Sequence, residues 1–219
     1  MTVEIKTLTL GIVATNCYLV GDTAAGAAVV IDPVDEADLI LETARAAGWT
    51  IKLILATHGH FDHVLASKAL KERTGAPFYI HANDVFLLKS LPQQGLMFTG
   101  ALFPEAAAPD RLLTDGPEVI EVGAVRLETL FTPGHAPGHV SFYMRAQQAV
   151  FSGDCLFAGS IGRTDLPGAN YNTLMRSIFD RLLTLGDAVR VLPGHMEPTT
   201  IGVERRTNPF LLEFAGRSE

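Results

Sequence analysis

The sequence predicts an α/β fold over residues 1–219, read as a single domain, on three observations. Apolar runs of strand length interleave with stretches whose apolar positions recur at helical spacing. Four of the strands end in residues that bind metals well, at 58–63, 135, 154 and 195, and glycine stands immediately before three of these sites (Gly134, Gly153, Gly194). No linker-like stretch divides the chain. Strands gathered in a sheet bring their ends to one edge, where the four segments can meet. Two mixed β-sheets face to face, with helices outside, satisfy this pattern.

Each element has its own signal. Residues 3–10 and 16–21 read as strands, joined through Gly11. Residues 27–31 are a continuous apolar run, as in a strand buried on both faces, and Asp32-Pro33 stops it. Residues 36–47 form an amphipathic helix closed by Gly48. A strand over 51–56 leads into Thr57-His58-Gly59-His60-Phe61-Asp62-His63. The next helix is expected from Asp62, as its N-cap, to about Arg73. A short strand at 78–80 is followed by His81, which stands alone and reads as a structural histidine, and by a short helix over 82–89. Residues 90–117 carry Pro92, Gly95, Gly100, Pro104, Pro109, Gly116 and Pro117 and read as a long irregular loop. The apolar residues of that loop, Phe98 and Phe103 among them, either wall a cleft or tuck beneath it as a satellite core. Strands resume at 119–122, 125–130, 140–144 and 149–152. Leu174, Ile178, Leu182 and Leu185 mark a helix over 170–185, and a last strand covers 189–192. A final helix starts near Thr199 and reaches about Arg205, with Asn208-Pro209 ending it.

The segment at 57–63 puts three imidazoles and a carboxylate where a buried strand ends. Left unpaired there, each polar group would cost about 1–3 kcal/mol or more. Neutral imidazoles and a carboxylate in one pocket suit a borderline divalent metal such as zinc. Histidine and carboxylate ligands without cysteine leave positions open for water, as catalytic sites need. A carboxylate with two oxygens can span two metals. Asp32 also follows a buried strand and reads either as a carboxylate that orients a ligand or as a turn cap. Cys155 adjoins Asp154, but strand alternation turns it to the opposite face, toward the core.

His-x-His-x-Asp-His at 58–63, Thr-Pro-Gly-His ending at 135, Ser-Gly-Asp ending at 154 and Pro-Gly-His ending at 195 resemble the metallo-β-lactamase superfamily. Within it the chain is similar to the glyoxalase II (hydroxyacylglutathione hydrolase) branch, in its short, single-domain bacterial form. The resemblance implies a four-layer αββα sandwich. It implies a first metal on His58, His60 and His135, a second on Asp62, His63 and His195, and Asp154 bridging both. The cofactors are then two divalent ions, zinc first, with iron or manganese as alternatives. Asp62 and Asp154 carry the catalysis, and a metal-bound hydroxide attacks a small-molecule thioester such as S-lactoylglutathione. Arg163 fits the basic position that would meet a glutathione carboxylate, or it is a loop-fixing arginine. His139 is expected outside the ligand set, hydrogen-bonded to a ligand or the backbone. Alternatives are a persulfide dioxygenase with one iron, another hydrolase of this fold, or a binding module that lost the chemistry.

Composition narrows the partners. A net charge of −7 counts against nucleic acid. No apolar run is long enough to cross a membrane. The N-terminus lacks signal-peptide regions, and two cysteines make no disulfide framework, so a cytoplasmic location is expected.

Overall fold

The computed structural model describes residues 2–216. The first half contains β1 (Val3–Leu10), β2 (Thr15–Asp22), β3 (Ala27–Ile31), α1 (Ala37–Ala46), β4 (Thr50–Leu55), α2 (Phe61–Val64) and α3 (Ser67–Thr74). It continues with β5 (Phe78–His81), α4 (Val85–Lys89), α5 (Leu91–Thr99) and β6 (Arg111–Leu113). The second half contains β7 (Val119–Val122), β8 (Val125–Phe131), β9 (Val140–Met144), β10 (Ala149–Gly153), β11 (Leu156–Phe157) and β12 (Ser160–Ile161). It closes with α6 (Tyr171–Ser177), β13 (Arg190–Pro193), β14 (Thr199–Thr200), α7 (Ile201–Thr207) and α8 (Pro209–Gly216).

Two six-stranded sheets result, ordered β1-β2-β3-β4-β5-β6 and β14-β13-β10-β9-β8-β7. Both are mixed: β3, β4, β5 and β6 run parallel in the first, and β10 and β13 run parallel in the second. Three apolar clusters stack the layers. Val29, Ile31, Leu53 and Leu55 meet Val125, Leu127, Phe142 and Phe151 between the sheets. Val30 and Ile54 point the other way, onto Ile40 of α1 and Leu70 of α3. Val150 and Val191 do the same on the second sheet, onto Leu174, Ile178 and Ile201. Burial on both faces is why β3 reads as an unbroken apolar run, whereas β8, with one face outward, alternates. The architecture is the four-layer αββα sandwich.

Several expected elements are corrected. The helix beginning at the metal motif is two pieces, α2 and α3, because the Ala66 amide bonds to the Pro33 carbonyl instead of to its own helix (3.0 Å). Asp62 lies inside the first turn of α2, with His60 preceding it in extended backbone, so Asp62 is not an N-cap. The stretch read as an irregular loop contains α5 and β6. Pro92 sits in the first turn of α5, where a missing N–H costs nothing, and Gly100 closes the helix at φ 75°. The helix expected over 170–185 is α6, then a wide turn over 178–182 and a tight one over 183–185. Pro209 opens α8 rather than ending the chain's last helix.

Candidate metal centre

The ligand-bearing segments leave their strands at a common edge. β3 and β4 are parallel, as are β10 and β13, and β8 runs with β10 because both are antiparallel to β9. The two sheets are tied together at that edge by β2. The Asn16 backbone N–H donates to the Gly194 carbonyl (2.7 Å), and the Tyr18 hydroxyl donates to the Pro193 carbonyl (2.7 Å). The Val140 N–H donates to Thr57 O (2.8 Å), joining the start of β9 to the motif after β4.

Three interlocking groups of ligand atoms form there: His58, His60 and His135; His58, His63 and Asp154; and Asp62, His63 and His195, with the atoms of each within 4.8 Å of one another. All seven residues named from the sequence are thus brought together. His81 joins none of the three groups; its Nδ1 accepts from the Asn83 N–H (3.2 Å) and its ring stacks on Phe131.

The imidazoles are aimed by contacts on their far side. Asp32 Oδ2 holds His63 Nδ1 (2.9 Å), Thr57 Oγ1 meets His58 Nδ1 (3.1 Å), and the Arg163 carbonyl accepts from His135 Nδ1 (2.8 Å). Each bond turns Nε2 inward, the arrangement in which an outer partner fixes the tautomer of a ligand. Asp32 is itself fixed by the Thr57 N–H (2.6 Å) and hydroxyl (2.9 Å). His139, fully buried, accepts the Asp154 N–H at Nε2 (3.0 Å) and meets Thr132 Oγ1 at Nδ1 (2.9 Å), so it positions the Asp154 backbone. Cys155 is buried in the apolar cluster under α6, its thiol pKa raised by burial.

The donor set fits divalent cations on observations of the site itself. His58 Nε2, His63 Nε2 and Asp154 Oδ1 are buried without a hydrogen-bond partner among the described residues, and they converge on one another. Burial and neighbouring imidazoles hold His58 neutral and push His60 down to about 3, so both present lone pairs. On the other side burial acts against His63 and His195, but carboxylates win. Asp62, Asp154 and Asp32 raise His63, and hydrogen bonds to Asp154 and Asp62 lift His195 to about 9. The same nitrogens face the carboxylates: His63 Nε2 is 3.4 Å from Asp62 Oδ2 and 3.4 Å from Asp154 Oδ1, and His195 Nε2 is 3.2 Å from Asp62 Oδ2. A cation would satisfy the same carboxylates and the orphaned nitrogens together. Asp154 spans the clusters, with Oδ1 toward His63 and Oδ2 3.5 Å from His135 and 3.5 Å from His195.

Two contributions escaped the sequence reading. Arg163 touches the cluster through its carbonyl, while its guanidinium pairs with the Asp165 carboxylate (2.9 and 2.8 Å). Asp84, fully buried before α4, accepts the Gly59 N–H at Oδ2 (3.0 Å) and the Gly138 N–H at Oδ1 (2.6 Å). An aspartate three residues after His81, at a strand end, is the signal that could have drawn attention to it. Beside the cluster opens a cavity of about 300 Å³, whose apolar lining is Ile12, Val13, Phe61, Phe98 and Leu166.

Comparison with known proteins agrees with this geometry. The family model described as the metallo-beta-lactamase superfamily matches residues 10–195. The hydroxyacylglutathione hydrolase GloC of Haemophilus influenzae is 41% identical over 197 residues, covering 90% of this chain and 92% of its own. The crystal structure of TTHA1623 in a di-iron-bound form superposes with a TM-score of 0.84 at 42% identity, covering 94% of this chain and 100% of the other. That of the B3 metallo-beta-lactamase BLEG-1 gives 0.86 at 35% identity, covering 95% and 99%. The chain belongs to the metallo-beta-lactamase superfamily and is a metallo-hydrolase of that family.

Proposed function

We propose that the chain hydrolyses small-molecule thioesters of the S-acyl-glutathione type, using two divalent ions, zinc first and iron or manganese as alternatives. The observation that carries this reading is Asp154, a buried carboxylate set between two complete ligand groups. Bound there, two cations would polarise the scissile carbonyl and lower the pKa of a water between them. His58, His60 and His135 would hold one, Asp62, His63 and His195 the other, and Asp154 would serve both. Thr15 donates its hydroxyl to Asp62 Oδ2 (2.9 Å), which leaves Oδ1 to orient a water at the cleft floor. The leaving thiolate is stable near neutral pH, so no strong general acid is required. A relative named for hydroxyacylglutathione hydrolysis supports the thioester. Arg163 stands at the rim and would meet a glutathione carboxylate by turning from Asp165. Two buried free thiols, Cys17 and Cys155, fit a reducing compartment such as the cytoplasm. Among the described residues no helix is long and apolar enough to cross a membrane.

The competing chemistry is persulfide dioxygenation on one iron held by His58, His135 and Asp154. The second group, with His63 locked by Asp32, supports two metals instead. Protein loaded with zinc alone is expected to release free thiol from S-lactoylglutathione or a related S-acyl-glutathione without consuming oxygen. Arg163→Ala is expected to raise KM more than it lowers kcat. Zinc protein inert on every thioester, with iron protein consuming oxygen on glutathione persulfide, overturns the reading.

A further inference from the structure

We propose that the cleft beside the metal cluster is an acyl groove, selecting thioesters whose acyl arm is an unsubstituted apolar chain over short hydroxyacyl groups. This rests on the thioester reading and adds to it the substrate's acyl class.

The groove is built from separate stretches of chain, and its two walls are anchored on the ligand motif. One wall is the turn between β1 and β2, which carries Ile12 and Val13, 71% and 45% exposed. At the end of that turn the Thr15 hydroxyl bonds Asp62, so the wall is set in register with a ligand. The other wall is aromatic. Phe98, 44% exposed on α5, packs on Phe61 with ring centroids 5.4 Å apart, and Phe103 backs Phe61 at 5.3 Å. Buried Gln94 fastens α5 to the motif: its Oε1 accepts the Phe61 N–H (3.0 Å), and its Nε2 donates to the Leu87 carbonyl (2.8 Å). Leu166 closes the rim.

Ile12, Val13 and Phe98 are therefore exposed apolar groups held in fixed positions around a polar floor, where an apolar chain would cover them. Charge points the same way. Arg163 is the only lysine or arginine lining the cleft among the described residues, and the thioester reading gives its guanidinium to the glutathione carboxylate. A charged acyl arm finds no free cation beyond the metal cluster. A hydroxyl on the arm would lose water against Ile12 and Phe98 without gaining a partner there.

The test separates binding from chemistry. S-methylglutathione and S-hexylglutathione are thioethers with no scissile ester, and calorimetry on the zinc-loaded protein compares them. Half-buried methylenes give about twofold each, so the hexyl thioether is expected to bind roughly thirtyfold tighter. Phe98→Ala and Ile12→Ser are each expected to cut that ratio at least about threefold, since half a wall is gone. In parallel, kcat/KM is measured for acetyl-, butyryl-, hexanoyl- and lactoyl-glutathione, and is expected to rise along the unsubstituted series and to be lowest for lactoyl. Methyl and hexyl thioethers that bind alike, or a ratio unmoved by both substitutions, overturn the groove. Lactoylglutathione cleaved best of the series also overturns it, while leaving thioester hydrolysis intact. Hexyl binding as expected with no thioester cleaved supports the groove and overturns the thioester reading instead.

Discussion

Asp84 divides its two carboxylate oxygens between the turn linking His58 to His60 and the loop linking His135 to His139. Those loops come from different sheets, and together they supply the three-histidine group. Asn at 84 keeps one acceptor and puts an NH₂ against the other N–H. Asp84→Asn is therefore expected to weaken the three-histidine site by about 10–100-fold, the usual cost of losing an outer partner, and leave the Asp62, His63 and His195 site occupied. Zinc titration checks it, and two sites at wild-type affinity would refute it. Burial lifts the Asp84 pKa to about 6 from an ordinary value of 3.8, although two N–H donors pull it down. A raised carboxylate favours the protonated fold, so its contribution is complete below about pH 4 and lost as pH rises through 6. Metal-free wild type should lose stability relative to Asp84→Asn over that window, by at most roughly 3 kcal/mol. Urea unfolding of both proteins at the two ends measures it; a difference that does not change with pH contradicts it. Cys155→Ala belongs at this scale too. The thiol is core, so metal content is expected to stay and stability to fall by about 1 kcal/mol; metal loss on elemental analysis would contradict that. The positions of the seven candidate ligands were legible as residue types after apolar strands. Asp84 was not, because it falls inside the short helix read over 82–89, with no metal-type pattern around it. Nor was the Arg163 carbonyl, since main-chain groups carry no sequence signature.

The glycine preceding a ligand is an element-scale device with two physical reasons. Gly153 turns β10 out of its strand at φ 48°, a conformation side-chain-bearing residues rarely adopt. Gly194 leaves room instead: a Cβ there would collide with Asp154 Oδ1 and lie 2.8 Å from His63 Cε1. Gly194→Ala is expected to push both groups off position, losing most bound metal while costing the fold about 1–3 kcal/mol. Metal analysis and a thermal melt on one preparation check the pair of outcomes; full metal content would show that the edge can yield. Strands were the legible elements, because burial on both faces leaves apolar runs such as 27–31 and 53–56. Helix α5 was hidden by its own punctuation. Pro92 and Gly100 are its start and stop, and Gly95 lies inside it because Ala101 and Phe103 fold back over that spot. The break after Val64 was hidden as well, since it answers to the distant Pro33 carbonyl rather than to local spacing.

Neither sheet owns the site. His58, His60, Asp62 and His63 follow β4 of one sheet, while His135, Asp154 and His195 follow β8, β10 and β13 of the other. Periodicity shows which faces are buried, and not which sheet lies against which, so the face-to-face arrangement was legible through the motifs and their resemblance more than through the spacing. A metal shared across this edge would cross-link the sandwich, and its binding free energy would add to folding. Without it, protons on His63 and His195 screen Asp62 and Asp154 from each other, and the three apolar clusters still hold the layers. Removal of metal should therefore lower Tm without dissolving secondary structure. Zinc at 1,000 times its Kd adds about 4 kcal/mol per site. At roughly 2–4 °C per kcal/mol for a chain of this size, a chelator is expected to lower Tm by about 8–16 °C for each ion lost. The shift should shrink toward pH 5, because a cation must displace the protons that the carboxylates hold on His63 and His195. Calorimetric melts with and without chelator at pH 7.5 and pH 5, with circular dichroism alongside, measure both effects; a Tm indifferent to chelator and zinc would mean that the folded edge holds no metal.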